Sequence, residues 1–227
     1  MIKRAFVVIG AVVLAALVGP VAAQKPPAPP VATPPAPVLG LYLGGGVGAA
    51  VLPFDEDDFL QVQGATQSAV TSEEGSFAFK AFVGYRFHQN FALEAYYADL
   101  GDFWFQRNVT APFGGTAKAD IKSSGWGIDA LGIFPLPRQW SLFGKLGGFY
   151  STTKTTYTAT GAVGFAPGTN LNPERKEWNF KVGFGGQYDI NRNFAVRAEI
   201  ETYFDVGNDQ TGEGNITMLS ISMVGRF

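Results

Sequence analysis

Residues 76–87 read SFAFKAFVGYRF, and this stretch decides the fold. Aromatic and aliphatic side chains alternate with small or charged ones, and a period of two residues is typical of a β-strand with two different faces. One face carries Phe77, Phe79, Ala81, Val83, Tyr85 and Phe87, and the other carries Ala78, Lys80, Phe82, Gly84 and Arg86. We interpret the stretch as a strand with an apolar face and a charged face.

The same division recurs along the chain. It is clear in residues 178–190 and 194–204 and weaker in residues 41–51, 91–100, 124–134, 140–150 and 217–227. Eight segments of about ten residues match the length of tilted strands that cross a membrane. A soluble sandwich or a lipocalin-like carrier alternates in the same way but buries its apolar face, so the pattern alone leaves both classes open.

The spacing between the segments favours the membrane class. Residues 88–90, 135–139 and 191–193 are short turns, whereas residues 52–76, 101–123, 151–177 and 205–216 are predicted to be long loops. Strict alternation of short and long connections is typical of outer-membrane barrels. Aromatic residues crowd the strand ends beside the short turns, where they would form an interfacial girdle: Phe87, Phe91, Phe134, Trp140, Tyr188, Phe194 and Phe227. We therefore predict an all-β, eight-stranded, up-and-down antiparallel transmembrane β-barrel.

The charges of the minor face nearly cancel. Six cations (Lys80, Arg86, Lys145, Lys181, Arg197 and Arg226) oppose five anions (Glu94, Asp129, Asp189, Glu199 and Glu201). The interior of an eight-stranded barrel is only just wide enough for side chains, so these charges are expected to pair with one another. The candidate site is this lumenal network, with Glu94, Arg197, Lys145, Asp129, Glu199, Lys80 and Lys181 as its members or as a gate.

The first 38 residues are predicted to be a targeting signal followed by a linker. Two cations in residues 1–4, an apolar run over 5–19 and a small-residue site ending at Ala23 predict a secretory signal peptide over 1–23. An uncleaved anchor helix is the alternative. Residues 24–38 are rich in proline and are predicted to be a stiff periplasmic linker, so the barrel is expected to occupy residues 39–227.

Composition excludes several functions. The 17 basic and 19 acidic side chains offer no extended positive field for nucleic acid. With no Cys and one His, His88, the chain offers no thiolate or His-rich metal site, and we expect no cofactor and no catalytic residues. An acidic run over 55–58 could bridge to lipopolysaccharide through divalent ions, although a solvated surface run is the simpler interpretation.

The charged strands resemble the transmembrane domain of the OmpA-type outer-membrane barrels. The matching stretches are 81–85, 91–97, 145–148, 197–199 and 218–227. The resemblance implies a Gram-negative-type outer membrane, both termini in the periplasm, and recognition of Phe227 by the outer-membrane assembly machinery. It also implies a lumenal gate, for which Glu94, Arg197 and Lys145 hold similar positions. The sequence ends at Phe227, so no C-terminal peptidoglycan-binding domain is expected.

Two functions from different classes remain open. The first is a structural or adhesion barrel with a plugged lumen, which contacts outer-membrane lipids and lipopolysaccharide and presents its long loops to an extracellular partner. The second is a narrow gated channel or a lateral route for small hydrophobic molecules. An outer-membrane enzyme is disfavoured because His88 lies in a short turn, away from the rim where such enzymes act.

Overall fold

The computed structural model describes residues 39–53, 67–73, 75–111, 114–162, 164, 170–207 and 214–227. These residues form nine strands: β1 (Gly40–Val51), β2 (Gln67–Glu73), β3 (Gly75–His88), β4 (Phe91–Ala111), β5 (Gly115–Pro135), β6 (Trp140–Gly161), β7 (Glu174–Asp189), β8 (Phe194–Val206) and β9 (Gly214–Arg226). The described part of the chain contains no helix of the length and apolarity needed to cross a membrane. The signal peptide, the linker and the acidic run predicted from the sequence lie outside the described residues.

Eight of the strands close into a ring. β3, β1, β9, β8, β7, β6 and β5 pair in that order, each antiparallel to its neighbour, and β4 joins β3 to β5. The predicted eight-stranded up-and-down barrel is confirmed. Because a closed ring pairs every strand on both sides, it leaves no sheet edge in lipid.

The short turns hold three of the hairpins in register. The Oδ1 atom of Asn191 accepts hydrogen bonds from the backbone N–H groups of Asn193 and Phe194, at 2.8 Å each. In the β5–β6 turn, Arg138 and Gln139 adopt positive φ angles of 61° and 70°. Two consecutive positive φ angles match the twist of the flanking strands in a tight hairpin. We call this end of the barrel the short-turn end and the opposite end the long-loop end.

The two faces of the strands separate as predicted in the half near the short turns. Val83, Phe184 and Ile221 point outward and are 45%, 66% and 63% exposed. Their neighbours Lys80, Lys181 and Ser222 point inward and are at most 2% exposed. The exposed surface is therefore apolar and the interior is polar, which is the reverse of a soluble lipocalin-like fold.

The expectation of long irregular loops at 101–123 and 151–177 was wrong for most of their length. β4, β5 and β6 are 21, 21 and 22 residues long and continue into these segments. β2, inside the predicted loop 52–76, pairs with the end of β4 outside the ring. We call β2 together with residues 101–111, 115–124, 151–161 and 174–177 the extension.

The strands of the extension were not predicted from the sequence, because the polarity of their inner and outer faces is the reverse of that in the rest of the barrel. Ala117, Ala119 and Ile121 are buried on its inner face, whereas Lys118 and Lys122 lie on its outer face. A β-bulge at Gly101, where φ is +85°, also shifts the alternation of β4 by one residue. A pattern of apolar residues on the outer face therefore does not indicate these strands where the outer face becomes polar.

Candidate functional site

Eight charged side chains meet inside the barrel, in the half that is nearer the short turns. They are Lys80, Glu94, Asp129, Lys145, Lys181, Arg197, Glu199 and Glu201, and each is at most 3% exposed. We call this group the lumen cluster. Its four cations and four carboxylates balance, as burial of so many charges requires.

Glu94 on β4 is the most heavily bonded carboxylate on the side of the cluster nearer the short turns. Its Oε2 atom accepts a hydrogen bond from the Nζ of Lys145 at 2.7 Å, and its Oε1 atom accepts one from Arg197 at 2.5 Å. The hydroxyl of Tyr42 donates to the same Oε1 atom at 2.8 Å. Both basic residues that the family resemblance singled out thus contact Glu94 at the same time.

The strand β8 supplies three members because residues two apart share one face. Arg197, Glu199 and Glu201 all point inward. The Nζ of Lys80 lies 2.5 Å from Glu199 and 2.7 Å from Glu201, so one lysine joins the two carboxylates. Glu201 was placed on the charged face of β8 but left out of the predicted site, and its spacing of two from Glu199 was the signal that could have included it.

Asp129 and Lys181 complete the cluster toward β5 and β7. The Nζ of Lys181 donates to Asp129 at 2.6 Å and to Glu201 at 2.9 Å. Asp129 lies directly opposite Glu94 in the pairing of β4 with β5. Like charges in opposite positions repel, so each of the two carboxylates needs a cation of its own, and Lys145 and Lys181 meet that need.

Aromatic rings cover the cations from the sides. The Nζ of Lys181 lies 3.7 Å from the centre of the Tyr96 ring, and the guanidinium of Arg197 lies 4.8 Å from Phe143 and 5.0 Å from Phe82. Desolvated cation–π contacts of this kind contribute on the order of 2 kcal/mol. The sequence placed Phe82 on the charged face but assigned these rings no role.

Two glycines give the cluster its space. A Cβ atom on Gly147 would lie 2.1 Å from the Oδ1 of Asp129, and one on Gly46 would lie 2.1 Å from the Oγ of Ser222. Both distances are shorter than van der Waals contact allows. The absence of a side chain at these positions lets the neighbouring strands place their polar groups inside a narrow lumen.

An apolar layer lies above the cluster toward the long-loop end. It consists of buried Leu52, Leu100, Phe103, Phe105, Ile121, Phe149, Tyr203, Val206, Ile216 and Met218. The rings of Phe149 and Tyr203 contact edge to face, with centroids 4.8 Å apart. The lumen therefore contains two stacked layers of different chemistry, and the sequence predicted only the charged one.

Aromatic residues mark two levels on the outer surface. Near the short turns, Trp140 and Tyr188 lie with ring centres 5.0 Å apart. Toward the long-loop end, Trp126, Tyr150 and Trp178 form a second group with centroid distances of 5.1–5.7 Å. Eight residues of β5 separate Trp126 from Phe134, which at a strand tilt of about 40° spans about 20 Å, close to the apolar band of a membrane barrel.

The extension begins above the second aromatic level and carries charges on its outer face. Lys122 lies opposite Lys154 in the pairing of β5 with β6 and contacts Asp102 at 2.7 Å. Glu174 lies 3.0 Å from Lys176 and 3.4 Å from Lys154. The hydrogen bond from Lys176, followed by that from Lys154, holds the pKa of Glu174 below its ordinary value.

Phe227 closes the last strand at the short-turn end. Its backbone N–H donates to the carbonyl of Leu41 at 3.2 Å, and its side chain is 74% exposed on the outer surface. The proposed role of Phe227 in assembly stays a prediction.

A closed ring with an apolar outer belt, two aromatic levels and a charged interior defines an integral membrane β-barrel. A model of the OmpA-like transmembrane domain matches residues 39–227. The chain belongs to this family of outer-membrane barrels, and the resemblance found in its sequence is confirmed.

Solved structures that are similar to this chain come from several bacteria. Ail, the attachment invasion locus protein of Yersinia pestis, is 14% identical with a TM-score of 0.48, and the match covers 84% of this chain and 100% of Ail. OprG from Pseudomonas aeruginosa is 18% identical with a TM-score of 0.45, covering 82% and 94%. Outer membrane protein W of E. coli is 16% identical with a TM-score of 0.42, covering 85% and 100%. A search of curated proteins finds no match.

Proposed function

We propose that the protein is a closed structural barrel of the outer membrane, which does not conduct solutes and which presents its extension to the outside. The observation that carries this proposal is the filled lumen. The lumen cluster is neutral and buried, and the apolar layer lies directly above it. A solute would have to separate the ion pairs of the first layer and displace the packed side chains of the second.

The two layers make a specific prediction about solute passage. Glu94→Ala removes a carboxylate from the lumen cluster, and Phe149→Ala removes a ring from the apolar layer. If each layer closes the lumen by itself, proteoliposomes containing either single variant should swell no faster in small sugars than those containing the parent. The double variant should swell faster. Swelling of the parent would contradict the proposal.

A narrow solute path is the second candidate function. The hydroxyl groups of Ser220, Ser222 and Tyr203 are buried and have no hydrogen-bond partner among the described residues. Ordered waters satisfy buried groups of this kind, and a file of waters along β8 and β9 would be a route for small polar solutes. In that case the parent would swell, and Glu94→Ala alone would change its rate.

We further propose that the short-turn end faces the periplasm and that Phe227 is read during assembly. The exposed ring of Phe227 at the end of β9 supports this role, because a receptor could reach it before the barrel closes. Deleting Phe227 should reduce the heat-modifiable form of the protein in outer-membrane fractions. Phe87→Ala is the matched control, since it removes another exposed ring at the same end, and insertion that is equal for both variants would contradict the assignment.

The outer face of the extension supports a contact with lipopolysaccharide. Lys122, Lys154 and Lys176 lie just above Trp126, Tyr150 and Trp178, at the level where the phosphates of outer-leaflet lipids would lie, and their side chains are 66%, 60% and 55% exposed. Vesicles that contain lipopolysaccharide should stabilise the parent more than they stabilise Lys122→Gln/Lys154→Gln. An equal gain in stability for the parent and the double variant would exclude this contact. The outer face of the extension is also the proposed surface for an extracellular partner.

A further inference from the structure

The short-turn end of the lumen holds three charged side chains outside the lumen cluster. Arg86 on β3 and Arg226 on β9 are each 8% exposed, and Asp189 on β7 forms an ion pair with Arg226. The terminal nitrogen of Arg86 donates to the backbone carbonyl of Gln89 at 2.5 Å. The Nε of Arg86 is buried and has no hydrogen-bond partner among the described residues.

The charge count of the lumen identifies Arg86 as a surplus cation. The lumen cluster balances four cations against four carboxylates, and Asp189 balances Arg226. No described carboxylate lies within ion-pair distance of Arg86. Asp189 attracts Arg86 but is already paired with Arg226, so the buried guanidinium of Arg86 loses its hydration without a carboxylate of its own, which is a costly arrangement in a protein interior.

A small cavity adjoins this surplus charge. Arg86, Arg197 and Arg226 line it together with Tyr42, Ser141 and Gln187, and the remaining described lining residues are apolar. None of the described lining residues is acidic. Its volume is about 20 Å³, which is room for one water-sized occupant.

We propose that this cavity binds a small monovalent anion of the size of chloride. Arg197 and Arg226 each have a carboxylate partner, so the net positive charge at the cavity comes from Arg86, whose buried Nε–H is an unused donor. A water molecule would satisfy the donor but not the charge, whereas a monatomic anion satisfies both. The small volume favours a monatomic anion over phosphate esters and organic carboxylates. The proposal does not require the lumen to be closed, because its surplus charge, Arg86, lies outside the lumen cluster.

Thermal unfolding of the refolded full chain tests the proposal. Sodium chloride is compared with sodium gluconate at equal ionic strength, since gluconate carries the same charge in a much larger ion. Chloride should raise the melting temperature of the parent saturably, as a ligand of the native state does. Arg86→Gln should lose this dependence. Arg192→Gln, which removes the same charge from an exposed turn, should keep it.

Two results would overturn the proposal: no difference between chloride and gluconate for the parent, or the same chloride dependence in Arg86→Gln. A second measurement covers the case in which Arg86→Gln does not fold. Crystals of the parent grown in sodium bromide should give an anomalous peak between Arg86 and Arg226. A map that shows both guanidinium groups but no such peak would also overturn the proposal.

Discussion

At the scale of single residues, Glu94 contacts two cations and the hydroxyl of Tyr42. Removing its carboxylate should therefore lower the free energy of unfolding substantially. Glu94→Ala leaves Lys145 and Arg197 buried with one carboxylate fewer, and breaking a buried ion pair from one side costs about 3–5 kcal/mol. Urea unfolding in lipid vesicles would measure the loss. Glu174→Ala is the control, because Glu174 also contacts two cations but lies on the exposed surface. Equal losses for the two variants would contradict the burial of the lumen cluster.

The glycine beside Asp129 offers a test of packing at the same scale. Gly147→Ala would place a Cβ atom against the Asp129 carboxylate and the Ile128 carbonyl, so it should destabilise the barrel by about 1–3 kcal/mol. Gly132→Ala, on β5, meets no atom within 4 Å and should be close to neutral. The two unfolding curves in vesicles provide the comparison. A neutral Gly147→Ala would mean that the lumen has more room than the ion-pair distances imply.

At the scale of the strands, the second aromatic level divides each long strand into a membrane part and an extension. Val83→Arg places a charge on the apolar belt. It should lower the free energy of unfolding by about 2–4 kcal/mol if the site lies near the midplane of the membrane. Thr156→Arg is the matched control, since Thr156 is exposed on the outer face of the extension. Refolding into lipid vesicles measures both. A large cost for Thr156→Arg would place the extension inside the bilayer, and no cost for Val83→Arg would reverse the assignment of the faces.

The sequence predicted the membrane parts of the strands but not their full lengths, for a physical reason. Between the aromatic levels the outer face is apolar and the inner face polar, so alternation over 76–87 is easily recognised. Beyond Trp126 the solvent changes from lipid to water and the polarity of β5 inverts, as Ala119 and Lys118 illustrate. The bulge at Gly101 breaks the period of β4 at the same level.

The members of the candidate site were predictable, but their partners were not. A period of two places Lys80 and Glu199 on inner faces without any knowledge of the fold. Which carboxylate meets which cation depends on the register of strands that are far apart in the chain, as in the contact of Lys80 with Glu199 across 119 positions. The surplus charge of Arg86 likewise appears only after the other charges have been paired in three dimensions.

At the scale of the whole barrel, the proposed function depends on whether the filled lumen is closed to solutes. The lumen cluster and the apolar layer both belong to the barrel wall, so closure needs no separate plug domain. If the proposed closure is right, the same side chains stabilise the barrel and block the lumen. Opening it would require several buried ion pairs to separate together, which a static neutral network opposes.

Single-channel recording of the refolded parent in a planar bilayer tests whether the lumen is closed. Insertion is first verified by the heat-dependent gel mobility of the same sample, so that silence cannot be mistaken for a failure to fold. A closed lumen predicts that the folded parent gives no discrete openings. Discrete openings whose conductance changes with Glu94→Ala or Arg197→Ala would contradict it and would make the lumen cluster a gate.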